Sequence, residues 1–169
     1  MALETANILG DTVKRLIIYE MPVIVDATRE PITPEYWATI EADVAAGNNP
    51  GAVKKFMKSV GVPPFFIWLM PYMMGAAWKK ITGIAPTLMY DEAFVGQYQQ
   101  GKPLPTARWN DVTARVLVAD GGKSPEWMRN GQTALARVLR SEKRTLNGQT
   151  HIVKADAQAP MIRSFFQEP

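Results

Sequence analysis

The sequence contains no cysteine and only one histidine. The first absence excludes disulfides and thiolate metal sites, and the second leaves too few imidazoles for a zinc or iron centre. Chemistry in this chain must therefore run on organic side chains, with no cofactor or metal expected. A glycine-flanked serine of the form Gly-x-Ser-x-Gly is also missing. Ser59 follows Met57-Lys58, Ser124 has Gly122 before it but Glu126 after it, and Ser141 and Ser164 lack glycine at either offset. There is no basic stripe with interleaved aromatics either. The net charge of +3 comes from scattered residues, with Lys14-Arg15, Lys54-Lys55 and Lys79-Lys80 the only adjacent basic pairs before Ser141-Glu142-Lys143-Arg144, which argues against nucleic acid as a partner. Met1 to Ala6 lacks the cationic flank and apolar core of a signal peptide, so a cytoplasmic location is expected.

Charge is absent from one long stretch, Val60 to Trp78. Its length approaches the roughly 20 residues that span a bilayer, but Pro63, Pro64 and Pro71 break the helix that spanning requires. Buried helices, or the wall of an apolar pocket, are expected there instead of a membrane segment.

What remains is a chain of 169 residues with 47% apolar side chains, enough for an ordinary folded core. Ala2 to Leu9 reads as a helix ending at Gly10, and Val13 to Tyr19 as an unbroken apolar strand of the kind covered on both faces of a parallel sheet. Proline- and glycine-punctuated helices follow at Pro34 to Ala46, Pro50 to Val60, Phe65 to Ile81 and Tyr90 to Gln99. A strand at Arg115 to Ala119 then leads through Asp120-Gly121-Gly122 to a helix over Pro125 to Leu139, with Ser124 as its expected N-cap. Lys143 to Leu146 is a shorter strand, and a helix over Ala155 to Phe166 follows it. The fold class is α/β, with a parallel sheet interrupted by a helical insertion.

The single histidine, His151, lies in Gly148-Gln149-Thr150-His151, between the last strand and the last helix. An imidazole ordinarily titrates near neutrality, so a histidine on a strand-to-helix loop is a natural general base. Glu20 ends the first apolar strand, where an unpaired carboxylate would be costly to desolvate, and a paired role follows.

Val13-Lys14-Arg15-Leu16-Ile17-Ile18-Tyr19-Glu20, the helical insertion, Val116-Leu117-Val118-Ala119-Asp120-Gly121-Gly122 and Gly148-Gln149-Thr150-His151 together resemble the second half of an α/β-hydrolase. The resemblance implies a partial hydrolase core over residues 1–25 and 111–169 and a helical cap over 26–110. It makes His151 the catalytic base and Glu20 its acid, by similarity to members such as haloalkane dehalogenases that carry a glutamate after the sixth strand. Asp120 is the alternative acid. The position most members use, the fourth residue after Asp120, holds Ser124, which cannot carry the charge. The resemblance further implies that Met1 to Leu9 is the remainder of the helix following a nucleophile elbow. Phe66, Trp68, Met70, Met73 and Trp78 are the residues expected to line a pocket for an apolar substrate, although the same residue types serve as the core of any small helical subdomain.

The expected function is hydrolysis of an ester or similar bond by a chain that represents the C-terminal half of such an enzyme. Truncated of its nucleophile, it should be inactive alone, because removing a triad nucleophile costs on the order of a million-fold in turnover. The alternative is a non-catalytic remnant that binds a small apolar ligand or a partner. The strand at Leu16 to Ile18 would then lack a neighbour on one side, inviting a homodimer or a complementing N-terminal half.

Overall fold

The computed structural model describes residues 1–167. Three strands, β1 (Arg15–Tyr19), β2 (Arg115–Gly121) and β3 (Glu142–Leu146), form a parallel sheet in the order β1-β2-β3. The helices are α1 (Ala2–Leu9), α2 (Pro34–Ala45), α3 (Asn49–Ser59), α4 (Pro64–Met74), α5 (Ala76–Gly83), α6 (Leu88–Val95), α7 (Glu126–Val138) and α8 (Ala155–Gln167). The chain divides into two compact units: Met1–Pro31 with the chain from Tyr98 onward, which holds the sheet with α1, α7 and α8, and Ile32–Gln97, which holds α2 to α6.

The apolar run Val116 to Ala119 of β2 follows from its central place, because successive side chains point to opposite faces and both faces are covered. Val116 and Val118 enter one core with Leu16, with Leu3 and Ala6 of α1, and with Leu135 and Ala136 of α7. Leu117 and Ala119 enter the other, with Met161 and Phe165 of α8. Arg15 and Arg115, partners in register, both approach the Phe165 ring, at 6.0 and 5.3 Å from its centre, and Arg15 Nη1 donates to the Phe165 carbonyl at 2.5 Å. Helix α1 is tied down by Glu4, which accepts from Trp109 Nε1 at 2.9 Å and pairs with Arg108 at 3.0 Å.

β1 is an edge strand. Its ladder to β2 begins at the Lys14 carbonyl, which accepts from Arg115, and ends at the Glu20 amide, which donates to Ala119. The alternation of a parallel ladder therefore gives even-numbered residues to β2 and points the main-chain groups of Ile17 and Tyr19 toward the open side.

Some local expectations need correction. The first strand begins at Arg15 rather than Val13, because Gly10–Thr12 forms a tight helical turn closed by Val13 N–H donating to the Gly10 carbonyl. The charge-free stretch does not make one helix: Gly75, at φ +49°, separates α4 from α5. Nor is it a buried helix. Phe65, Phe66, Trp68, Tyr72 and Met73 are all more than half exposed, and Ile67 is the one buried residue of α4. Phe65, Trp68 and Tyr72 stack in a row along its surface, because positions three and four apart share a helix face. Trp78 instead packs on the core of the helical unit, around Trp37, Ile40 and Val53. No helix among the described residues is long and apolar enough to cross a membrane. Pro125, not Ser124, occupies the N-cap position of helix α7, and the buried Ser124 hydroxyl has no hydrogen-bond partner among the described residues.

Gly131 in α7 marks a close approach of helix to loop: a Cβ there would lie 2.6 Å from the Val23 carbonyl oxygen. In an open helix, glycine to alanine gains about 1 kcal/mol of propensity. Here the clash with a main-chain atom dominates, since overpacking costs roughly 1–3 kcal/mol. Gly131→Ala should therefore lower the midpoint of urea unfolding, and a raised midpoint would contradict the close packing of α7 on Val23.

Candidate functional site

Parallel strands deliver their carboxyl ends to one edge of the sheet, where the following loops converge. Glu20 follows β1, Gly121 ends β2, and the His151 loop follows β3. Glu20 is almost completely buried and has φ +48°, a left-handed conformation that an L-residue adopts at a cost of about 1–2 kcal/mol. The consequence is a change of ladder partner. The next β2 rung facing β1 is the Gly121 N–H, and the Glu20 side chain takes it, with Oε1 accepting at 2.7 Å. The second oxygen, Oε2, lies 3.0 Å from His151 Nδ1.

With Nδ1–H donating to a carboxylate, Nε2 is left with its lone pair, the arrangement a general base requires. The two partners differ sharply in exposure: the Glu20 side chain is 0% accessible and that of His151 62%. The carboxylate is thus kept from water while the imidazole can meet a second molecule. Any positive charge arising on the ring when Nε2 takes a proton is offset by the buried carboxylate beside it.

The histidine loop is fastened at several points. Tyr19 Oη donates to the Thr150 carbonyl at 2.7 Å, Lys123 N–H donates to the Gln149 carbonyl at 2.8 Å, and Lys154 N–H donates to Gln149 Oε1 at 3.1 Å. Gly148 supplies a positive φ of 75° for the turn. At Gly121 a Cβ would meet the Gln149 carbonyl oxygen at 2.5 Å, so only glycine allows the loop so close to the end of β2.

Burial, and then the negative charges of Glu20 and Asp120, push the Tyr19 phenol up to about 12. It remains a neutral donor throughout the physiological range.

Asp120 does not share this arrangement. Its Oδ2 lies 2.6 Å from Lys143 Nζ and its Oδ1 accepts from the Thr145 hydroxyl at 2.6 Å, both on β3. It is a completely buried part of β2, which runs on to Gly121 rather than ending at Ala119, and so sits within the strand. Phe66, Trp68, Met70, Met73 and Trp78 belong to the helical unit, Phe66, Trp68 and Met73 being exposed and Met70 and Trp78 partly buried. No cluster of three or more histidine, cysteine, aspartate or glutamate residues among those described could hold a metal ion.

Two supporting residues escaped the sequence reading. Tyr19 looked like one more apolar strand position, and its hydroxyl acts on a carbonyl 131 residues away. Gln132 carried a detectable signal, a polar residue on the buried stripe Met128, Gln132, Leu135 of α7, at the spacing of one helix face.

Neither protein-family profiles nor curated proteins give a match to the sequence. Among solved structures, an alpha/beta hydrolase from Sphaerobacter thermophilus DSM 20745 is similar, with a TM-score of 0.79 and 36% identity. The match covers 98% of this chain and 62% of that one, so the chain spans less than two thirds of the similar protein's length.

The raised titration of Tyr19 has a definite sign. A phenol that ionises near 10 when unfolded and at about 12 when folded contributes stability below the unfolded value and loses it as pH rises through the folded one. Burial, and then Glu4, also raise the Tyr98 phenol, so an ultraviolet difference titration of tyrosinate should show late-ionising groups in the wild type, of which one is absent from Tyr19→Phe. If Tyr19→Phe loses none of the late-ionising absorbance, the burial of the Tyr19 phenol beside Glu20 and Asp120 is wrongly placed.

Proposed function

Since this chain belongs to the α/β-hydrolase superfamily, we propose that it forms the acid–base part of a hydrolase for esters or similar bonds. His151 is its base and Glu20 its acid. The observation that carries this reading is the 3.0 Å contact between an exposed imidazole and a wholly buried carboxylate at the carboxyl edge of a parallel sheet. In the proposed reaction His151 Nε2 takes the proton of an attacking hydroxyl and returns it to the leaving group, while Glu20 holds the ring in the Nδ1–H tautomer. Asp120, engaged by Lys143 and Thr145, is a poorer acid on this geometry.

The nucleophile is not among the motifs of these 169 residues, so turnover needs one from residues outside this sequence. An apolar substrate is the class we propose, because Phe66, Trp68 and Met73 of α4 are large apolar side chains more than half exposed. Met70 is proposed to share that role, whereas Trp78 packs on the core of the helical unit and is a poorer candidate. The cytoplasm is the compartment we propose.

A polypeptide carrying a Gly-x-Ser-x-Gly elbow ahead of this sequence tests the reading. It should be labelled by a serine-directed phosphonate, and His151→Ala should lower labelling and ester turnover by several orders of magnitude. Undiminished labelling in His151→Ala sinks the assignment. The 169-residue chain alone should show no ester turnover that depends on His151.

A second reading, a non-catalytic chain that binds an apolar ligand or a partner, is favoured by the open main chain of β1 at Ile17 and Tyr19. Either a second copy or a complementing N-terminal segment would pair there. Light scattering should then show association that rises with concentration and is lost in Ile17→Pro, which removes an outward N–H while sparing the ladder to β2. A wild type that stays monomeric at every concentration counts against self-pairing.

A further inference from the structure

A strained acid needs something to hold it, and the main chain just beyond Glu20 is gripped from one side. Gln132, on α7, is completely buried among Met128, Leu135 and Ala136. Its Oε1 accepts from Met21 N–H at 3.2 Å and its Nε2 donates to the Met21 carbonyl at 2.7 Å. A buried amide left unpaired would be costly, and this one spends both ends of its side chain on a single peptide position. Nε2 has a weaker contact, at 3.4 Å, with the Met128 carbonyl of its own helix. The residue so held is the one following Glu20, whose φ of +48° turns the chain out of the ladder and lets its side chain occupy the Gly121 rung. The approach of α7 that brings Gln132 within reach depends on Gly131, where any Cβ would strike the Val23 carbonyl.

We infer that Gln132 is the positioning residue of the acid: by clamping both main-chain groups of Met21 it fixes the left-handed turn at Glu20 and so aims Oε2 at His151. It touches neither His151 nor a substrate, and its effect passes through the backbone. This rests on the reading of Glu20 and His151 as an acid–base pair. A pure packing role is the competing account, since a buried glutamine also fills volume.

Because His151 is the only histidine, labelling histidine nitrogens gives one ring to observe in the 169-residue chain. Under mildly alkaline conditions the wild type should show the Nδ1–H tautomer and a downfield, slowly exchanging Nδ1 proton. Glu20→Leu supplies the reference spectrum for a lost pair. Gln132→Met, close in shape but without polar atoms, should move the spectrum toward that reference. Leu135→Ala, which truncates the same buried face, should lower the unfolding midpoint yet leave the His151 spectrum unchanged. If Gln132→Met does not fold, Gln132→Glu, which keeps the acceptor and loses the donor at neutral pH, is read in the same way. A wild-type spectrum already matching Glu20→Leu refutes the acid–base pair itself. A wild-type signature that survives in a folded Gln132 variant, or is lost equally in Leu135→Ala, overturns the positioning role while leaving the pair intact.

Discussion

One buried carboxylate, shared between a peptide N–H and an imidazole, governs the arrangement at the end of the sheet. Burying an ionised group costs several kcal/mol unless its oxygens are bonded, and both oxygens of Glu20 are engaged, one by Gly121 and one by His151. Satisfying them requires three loops to arrive together, each at the end of a different strand. Register does this: Tyr19 pairs with Ala119, and Gly121 pairs with Leu146, three residues before Gln149. A slip of one residue in either ladder would reverse the faces of the strand and separate the pair.

The same logic explains what could be read from the residues. Glu20 stood out because a charge closed an apolar run, and His151 because no other histidine competes with it. An unbroken apolar run also reveals the central strand, since β2 is covered on both faces by side chains of two distinct cores. Tyr19 and Gln132 could not be assigned roles in that way. Each acts on main-chain atoms of a distant segment, and main-chain atoms leave no signature of their own in a sequence. The positive φ at Glu20 was equally silent, because the usual markers of that conformation are glycine and asparagine. Gly121, by contrast, needs its missing Cβ for an approach by Gln149 that becomes apparent only once the loop is in place.

The helical unit shows the opposite imbalance. Its elements follow proline and glycine closely: Asn48 and Thr33 cap α3 and α2 with their side chains, and a proline opens each of those helices. Its burial does not follow composition. A helix apolar on all sides is ordinarily interior, yet α4 buries Ile67 alone among the described side chains. Composition reports how much apolar surface exists, while only packing decides which part of it meets protein.

The proposed acid and base lie 131 residues apart in sequence, so no local segment can assemble them. Pairing β1 with β2 closes a loop in which Arg15 meets Arg115, and the helices of Ile32–Gln97 lie inside it. Loop-closure entropy grows only as the logarithm of length, so lengthening a connection roughly threefold costs about 1 kcal/mol. An intervening unit that folds on itself costs less still, because its ends are already near one another in the compact state. The helices of Ile32–Gln97 can therefore be exchanged, enlarged or remodelled at small thermodynamic penalty, while Glu20, Met21 and the strands that place them stay as they are.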